Sequence, residues 1–175
     1  MRIVAGSRKG ARIFAPKGNE TRPTSDRARE AAFNLIGPVD EAAVLDLFAG
    51  SGAMGLEALS RGAASAVFVE SDRDACRTIE RNLAKLGLTG ATVLCRDALQ
   101  VLAAESRTYD LVLCDPPYGF EGHNRLAGYL LRLLAPNGLL VYETGANEQP
   151  VLEGLQVRTS RTYGSARLTL FEHEP

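Results

Sequence analysis

The segment Val44-Leu45-Asp46-Leu47-Phe48-Ala49-Gly50-Ser51-Gly52-Ala53-Met54-Gly55 constrains the fold more than any other. A continuous apolar run of strand length enters a glycine turn and continues as a helix, the opening of a parallel α/β unit. The same alternation recurs downstream. Strands are expected over 43–48, 66–70, 91–95, 111–115 and 139–143, with helices over 54–61, 72–86, 98–104 and 124–134. The helix over 72–86 has the clearest period, with Ala75, Ile79, Leu83 and Leu86 on one face and Gly87 as its stop. Ser71 and Asp74 fit a capping box at its start. The last two runs, 155–161 and 166–172, are joined too tightly for a crossover helix and should pair antiparallel. An α/β, Rossmann-like sheet is expected.

Ahead of that sheet, a helix capped by Thr24 or Ser25 should reach Leu35 before Gly37-Pro38. The runs 2–5 and 11–14 flank Gly6-Ser7-Arg8-Lys9-Gly10 as a small hairpin. Charge divides at the same place. Residues 1–29 hold eight Lys and Arg against Glu20 and Asp26, a formal +6 that leaves −7 for the remainder of a chain of net −1. A basic leader on an acidic body suits a polyanionic partner, though a solvated basic face would have the same composition. No apolar run approaches the roughly 18–20 residues of a membrane span, and a charged N-terminus does not suit a signal peptide, so a cytoplasmic protein is expected. Cys76, Cys95 and Cys114 are scattered, without a metal-ligand spacing, and no metal is expected. With 175 residues, the chain suits one domain, expected to be monomeric.

The glycine segment literally matches GxGxxG, which admits nicotinamide dinucleotide binding and, more blandly, a structural tight turn. Asp46 decides between ligands. A carboxylate four residues before the first glycine suits an ammonium group better than a pyrophosphate, and S-adenosylmethionine carries an ammonium. Phe48, Ala49, Gly50 and Gly52 would line the same turn. Glu70 closes the next strand, where an acid can hold ribose hydroxyls. Asp97, followed by Ala98, closes the third and can accept from an adenine amino group, cap the next helix, or both.

Asp115-Pro116-Pro117-Tyr118 follows the fourth strand. Two prolines hold the backbone extended, so its carbonyls are not drawn into a helix. Methylating an exocyclic base amine needs such a device, because the nitrogen lone pair is delocalised into the ring. Asp115 and the Pro116 carbonyl can accept the two N–H groups and aim the nitrogen, while Tyr118 stacks on the base. A Pro-Pro loop with a capping Asp is the bland alternative. Cys114 is expected in the core rather than as a nucleophile, and His123 on a solvated loop. His173 sits in a charged tail and is expected to be solvated.

Together, 46–52, Glu70, Asp97 and 115–118 resemble the successive motifs of class I S-adenosylmethionine methyltransferases. The resemblance implies a seven-stranded sheet ending in an antiparallel hairpin. The Asp-Pro-Pro-Tyr form marks the branch that methylates adenine N6 or guanine N2. More finely, Met1-Arg2-Ile3-Val4-Ala5-Gly6, Arg22-Pro23-Thr24-Ser25-Asp26-Arg27-Ala28-Arg29-Glu30, Phe33-Asn34, Leu56-Glu57-Ala58-Leu59-Ser60-Arg61-Gly62-Ala63 and Tyr163-Gly164 resemble RsmD-type guanine-N2 methyltransferases of small-subunit ribosomal RNA. That likeness implies that Thr24 lies beside the cofactor and that the leader, with Arg2, Arg8, Lys9, Arg12 and Arg22, meets RNA. The link between Tyr118 and the following helix is shorter than the family's usual one.

The expectation is therefore a basic RNA-binding extension over 1–37 on a methyltransferase domain over 38–175. Its partner would be ribosomal RNA or the small subunit, and its reaction guanine-N2 methylation of 16S ribosomal RNA. The rivals are a DNA or RNA adenine-N6 methyltransferase, a non-catalytic RNA-binding assembly factor on the same scaffold, and a nicotinamide oxidoreductase.

Overall fold

A computed structural model describes residues 1–17 and 25–175. Seven strands form one sheet in the order β3-β2-β1-β4-β5-β7-β6. They are β1 (Ala43–Leu47), β2 (Ser65–Glu70), β3 (Ala91–Cys95), β4 (Tyr109–Cys114), β5 (Leu134–Gly145), β6 (Leu155–Tyr163) and β7 (Ala166–His173). The first five run parallel, and β7 lies antiparallel between β5 and β6. The expected closing hairpin is therefore present, with its second strand in the sheet interior. This is the arrangement the resemblance implies.

Among the described residues, five α-helices accompany the strands: α1 (Asp26–Ile36), α2 (Ala53–Ser60), α3 (Arg73–Leu86), α4 (Ala98–Ala104) and α5 (His123–Leu133). Strand alternation divides the core into two layers. Val44, Phe68, Leu111, Leu113 and Val141 pack with α1, α2 and α3 on one face. Leu45, Leu47, Val112, Cys114 and Tyr142 pack with α4 and α5 on the other.

Several boundaries differ from expectation for local reasons. β1 ends at Leu47 because Phe48 takes a left-handed backbone (φ 57°). The cap of α3 is Asp72, whose carboxylate accepts from Ala75 N–H at 2.7 Å. The expected Ser71–Asp74 box thus lies one residue too early, since the helix starts at Arg73. His173 is the last residue of β7 rather than a solvated tail residue, and its Nε2 lies 2.9 Å from the Leu134 carbonyl. The N-terminal hairpin is reduced to a single bridge, Arg2 to Arg12, around a 3-10 turn over Gly6–Arg8. Ser25, not Thr24, caps α1, its hydroxyl accepting from Ala28 N–H; Thr24 and Arg22 lie outside the described residues.

The leader is held to the body by Glu57 of α2, a fully buried residue. Its two oxygens accept from Val4 and Ala5 N–H at 2.9 Å each. They also meet the guanidinium groups of buried Arg29 at 3.4 Å and of Arg61 at 2.9 Å. Arg29 in turn donates to the Arg2 carbonyl and to Asp26. Ile3 and Ile13 of the leader and Phe33 of α1 share one core with the sheet. Leader, α1 and sheet consequently form one packed unit. Glu57→Ala strands two N–H groups and removes a buried carboxylate from Arg29, so it should cost about 3–5 kcal/mol of stability in urea unfolding. A loss below about 1 kcal/mol would contradict the central place given to this carboxylate.

Candidate active site

Strand order reverses between β1 and β4, and in such a sheet the crevice opens beyond the carboxyl ends at that switch point. The two segments singled out in the sequence, the glycine turn after β1 and the Pro-Pro turn after β4, face each other there. The fold brings them together from positions more than 60 residues apart in the sequence.

Two carboxylates shape the glycine turn. Asp46 is buried, and its Oδ2 accepts from Gly55 N–H at 2.9 Å, tying the strand to the first turn of α2. Gly55 is required there: a Cβ would lie 2.4 Å from the Phe68 ring. Glu70 reaches across from β2 and accepts from Gly50 N–H at 2.8 Å with one oxygen, and from Asp72 N–H at 2.9 Å with the other. Gly52 is the left-handed residue (φ 78°) from which α2 starts. Asp97 is exposed and caps α4, accepting from Gln100 N–H at 3.1 Å, with Ala98 buried behind it. Both expected uses of Asp97 are compatible with this geometry.

Left-handed Phe48 turns its ring out of the strand's alternation, against the layer beneath the Pro-Pro turn. It meets Phe120 edge-on at 5.3 Å, and Phe120 meets the His123 ring at 5.2 Å. His123 Nδ1 lies 2.6 Å from the Tyr142 hydroxyl. His123 is exposed, as expected, but it begins α5 rather than lying on a loop, and it joins an aromatic row. Tyr118 stands fully exposed at the tip of the turn, free to present its ring to a ligand. Cys114 is buried beneath, and burial raises its thiol pKa well above the usual range, which agrees with a core role.

The electrostatics are dominated by like charges. Alternation along the strands and their register put Asp46, Asp115 and Glu143 on one face at the carboxyl edge. Burial pushes the Asp46 carboxyl up to about 8 despite its bond from Gly55, with Asp115 and Glu70 adding repulsion. Asp115 has surface open to the crevice, yet the protein crowding the crevice mouth raises it to about 6. Half-buried Glu143 rises to about 7, through desolvation first and Asp115 second. Glu143 and Phe120 were not among the residues expected from the sequence. The signal for Glu143 was its place at the end of the fifth strand, which gains meaning only once β5 lies beside β4.

The donor set fits a cationic ligand. A sulfonium and an ammonium would relieve this repulsion, whereas a dinucleotide pyrophosphate would add to it. Among the described residues, no group of three or more His, Cys, Asp or Glu is placed to hold a metal ion, and no helix is long and apolar enough to cross a membrane.

In the leader, Arg2, Lys9 and Arg12 are exposed. Arg8 differs: its guanidinium donates to the Leu86 and Gly87 carbonyls, closing the C-terminus of α3. Arg8, expected from the sequence as an RNA contact, also anchors the leader to the body.

The raised carboxyls have a measurable consequence. Each sits above its unfolded value near 4, so its contribution to stability is present in acid and is lost as pH rises through about 6 to 8. Glu105, lowered to about 2 mainly by Arg107, acts below that window. The ligand-free protein should lose roughly 5 °C or more of Tm between pH 5.5 and 8.5, and Asp46→Asn should flatten the decline. A Tm that rises across this range would contradict the assignment.

Comparison with known proteins bears on the family and the fold. A family model described as Conserved hypothetical protein 95 matches residues 1–172. Ribosomal RNA small subunit methyltransferase D of Escherichia coli K12 is 40% identical over 144 residues, covering 82% of this chain and 71% of that protein. Its Haemophilus influenzae counterpart of the same name is 31% identical, covering 99% and 94%. The solved structure of yhhF from Escherichia coli superposes with a TM-score of 0.90 at 32% identity, covering 99% of this chain and 98% of that one.

Proposed function

This chain belongs to the family described as Conserved hypothetical protein 95, and from that premise we propose that it methylates the exocyclic N2 amine of a guanine in 16S ribosomal RNA, using S-adenosylmethionine. The observation that carries the reading is the glycine turn and the Asp115-Pro116-Pro117-Tyr118 turn facing each other across the switch point of the sheet. The names of its relatives support ribosomal RNA as the substrate. We place the protein in the cytoplasm, as a monomer acting on the RNA or the small subunit.

S-adenosylmethionine supplies an electrophilic methyl on a sulfonium. The Ala49–Gly52 backbone and Phe48 would seat it, Glu70 would turn from Gly50 N–H toward the ribose hydroxyls, and Asp97 would accept from the adenine amino group. Asp46 braces the turn through Gly55 and offers its remaining oxygen to the cationic end. Thr24 is proposed beside the same ligand.

On the acceptor side, the base must leave its stack to enter the crevice. Tyr118 stacks on it, while Asp115 and the Pro116 carbonyl accept the two N2–H groups. Those bonds restore electron density to nitrogen and point its lone pair at the methyl. As the N–C bond forms and the C–S bond breaks, nitrogen sheds one proton, and Asp115, raised to about 6, is placed to receive it. Asp115→Ala should reduce single-turnover methyl transfer by about 100-fold or more with donor affinity held within about threefold. Near-normal turnover would overturn the role. Mass-spectrometric mapping of the modified nucleoside tests the reaction itself: N2-methylguanosine is expected, and N6-methyladenosine would favour the rival reading.

Residues 1–37 would serve as the RNA-binding extension, with Lys9, Arg12, Arg2 and Arg22 on phosphates. Lys9→Ala with Arg12→Ala should flatten the slope of log affinity against log salt by roughly 0.7–0.9 per lost contact, with donor binding unchanged. Arg8→Ala should instead lower stability by about 1–2 kcal/mol. An unchanged salt slope in the double variant would place the RNA surface elsewhere.

A further inference from the structure

Glu143 has no use in the reaction as described, yet the fold puts it in the site. Cys114 pairs with Tyr142 in the parallel register of β4 and β5, so Asp115 and Glu143 are the next neighbours beyond that pair. Adjacent strands lie about 4.8 Å apart, and partners in register point to the same face. Both side chains therefore project from the face that carries Asp46, at the carboxyl edge. The Glu143 carboxyl is half-buried and accepts no hydrogen bond from any described residue. A carboxylate withdrawn from bulk water and lacking a donor is suited to a ligand that brings one.

The two purines differ in what they could bring. Guanine presents N1–H beside its N2 amine, a row of donors on one edge. Adenine presents a bare N1 lone pair beside its N6 amine. Two neighbouring carboxylates complement the first edge and repel the second.

We propose that Glu143 selects guanine by accepting its N1–H while Asp115 and the Pro116 carbonyl hold the N2 amine. This rests on the guanine-N2 reading above and adds the residue that separates guanine from adenine, a distinction that Asp115-Pro116-Pro117-Tyr118 does not make. Burial first and Asp115 second disfavour the ionised Glu143 carboxyl in the ligand-free protein, and an N1–H bound to it would favour that ionised, accepting form.

The test uses ribosomal RNA carrying guanine at the mapped position, and the same RNA carrying 2-aminopurine there. The analogue keeps the 2-amino group but exposes a bare N1. The unmodified protein should prefer guanine by about 100-fold or more in kcat/KM, as expected of a site built around a substrate N–H. In Glu143→Gln, whose amide can donate to a bare N1, that preference should shrink by about tenfold or more, with the donor's Kd within about twofold of the unmodified protein's. A merely structural role would slow both substrates alike. Equal losses on both bases, or an unchanged preference, would therefore overturn the proposal. Glu143→Ala, measured in the same way, carries the test should the Gln variant fail to fold. N2-methylguanosine formed with an unchanged preference removes only the role of Glu143; N6-methyladenosine as the product removes the guanine reading with it.

Discussion

The bond from Gly55 N–H to the buried Asp46 carboxyl is the contact on which the arrangement of the site turns. It fixes where α2 begins relative to β1, and so the path of the chain between them. Once that path is set, Glu70 can reach Gly50, and Phe48 is left to turn the chain through a left-handed residue. The Phe48 ring then supports Phe120 under the opposite turn. A single buried acceptor thus ties the two halves of the crevice to one frame. Its cost is a concentration of negative charge at one sheet edge, held partly in neutral form by burial.

What the sequence revealed was largely what is local. Strand–turn–helix spacing, the helical period over 75–86 and the Pro-Pro turn each depend on neighbouring residues, and each is where it was expected. Caps were legible to within a residue: Asp72 and Ser71 are chemically alike, and only the helix start separates them. Interactions that depend on which elements pack together were not legible. Glu57 reads as one acid in an amphipathic helix, yet it is the buried junction of the leader, α1 and α2. Arg8 reads as one more positive charge, yet it closes α3 nearly 80 residues away. Asn82 of α3 clamps Phe14 through both its backbone N–H and its carbonyl, which no periodicity announces.

The same limit applies to the site. Asp115 was found because two prolines mark it; Glu143 has no such mark. Its meaning comes from register, since β5 must lie beside β4 before the two carboxyls become neighbours. The uneven charge of the chain also acquires a geometry. The positive leader is bolted to α2 and α3 through Glu57, Arg8 and Asn82, so its exposed cations keep a fixed bearing on the acidic crevice. A rigid separation of this kind lets one surface meet a polyanion while the other receives a cation.

The place of β7 has a consequence for the way the molecule is made. It follows β6 along the chain, but it lies inside the sheet, bonded to β5 on one side and β6 on the other. On an emerging polypeptide, β5 keeps an open edge, and β6 has no neighbour, until the residues after Gly164 are available. An open edge of apolar strand is a template for pairing with other chains. Closure of the sheet therefore waits on the last-made of these seven strands, and until then the open edge of β5 is exposed to misassembly.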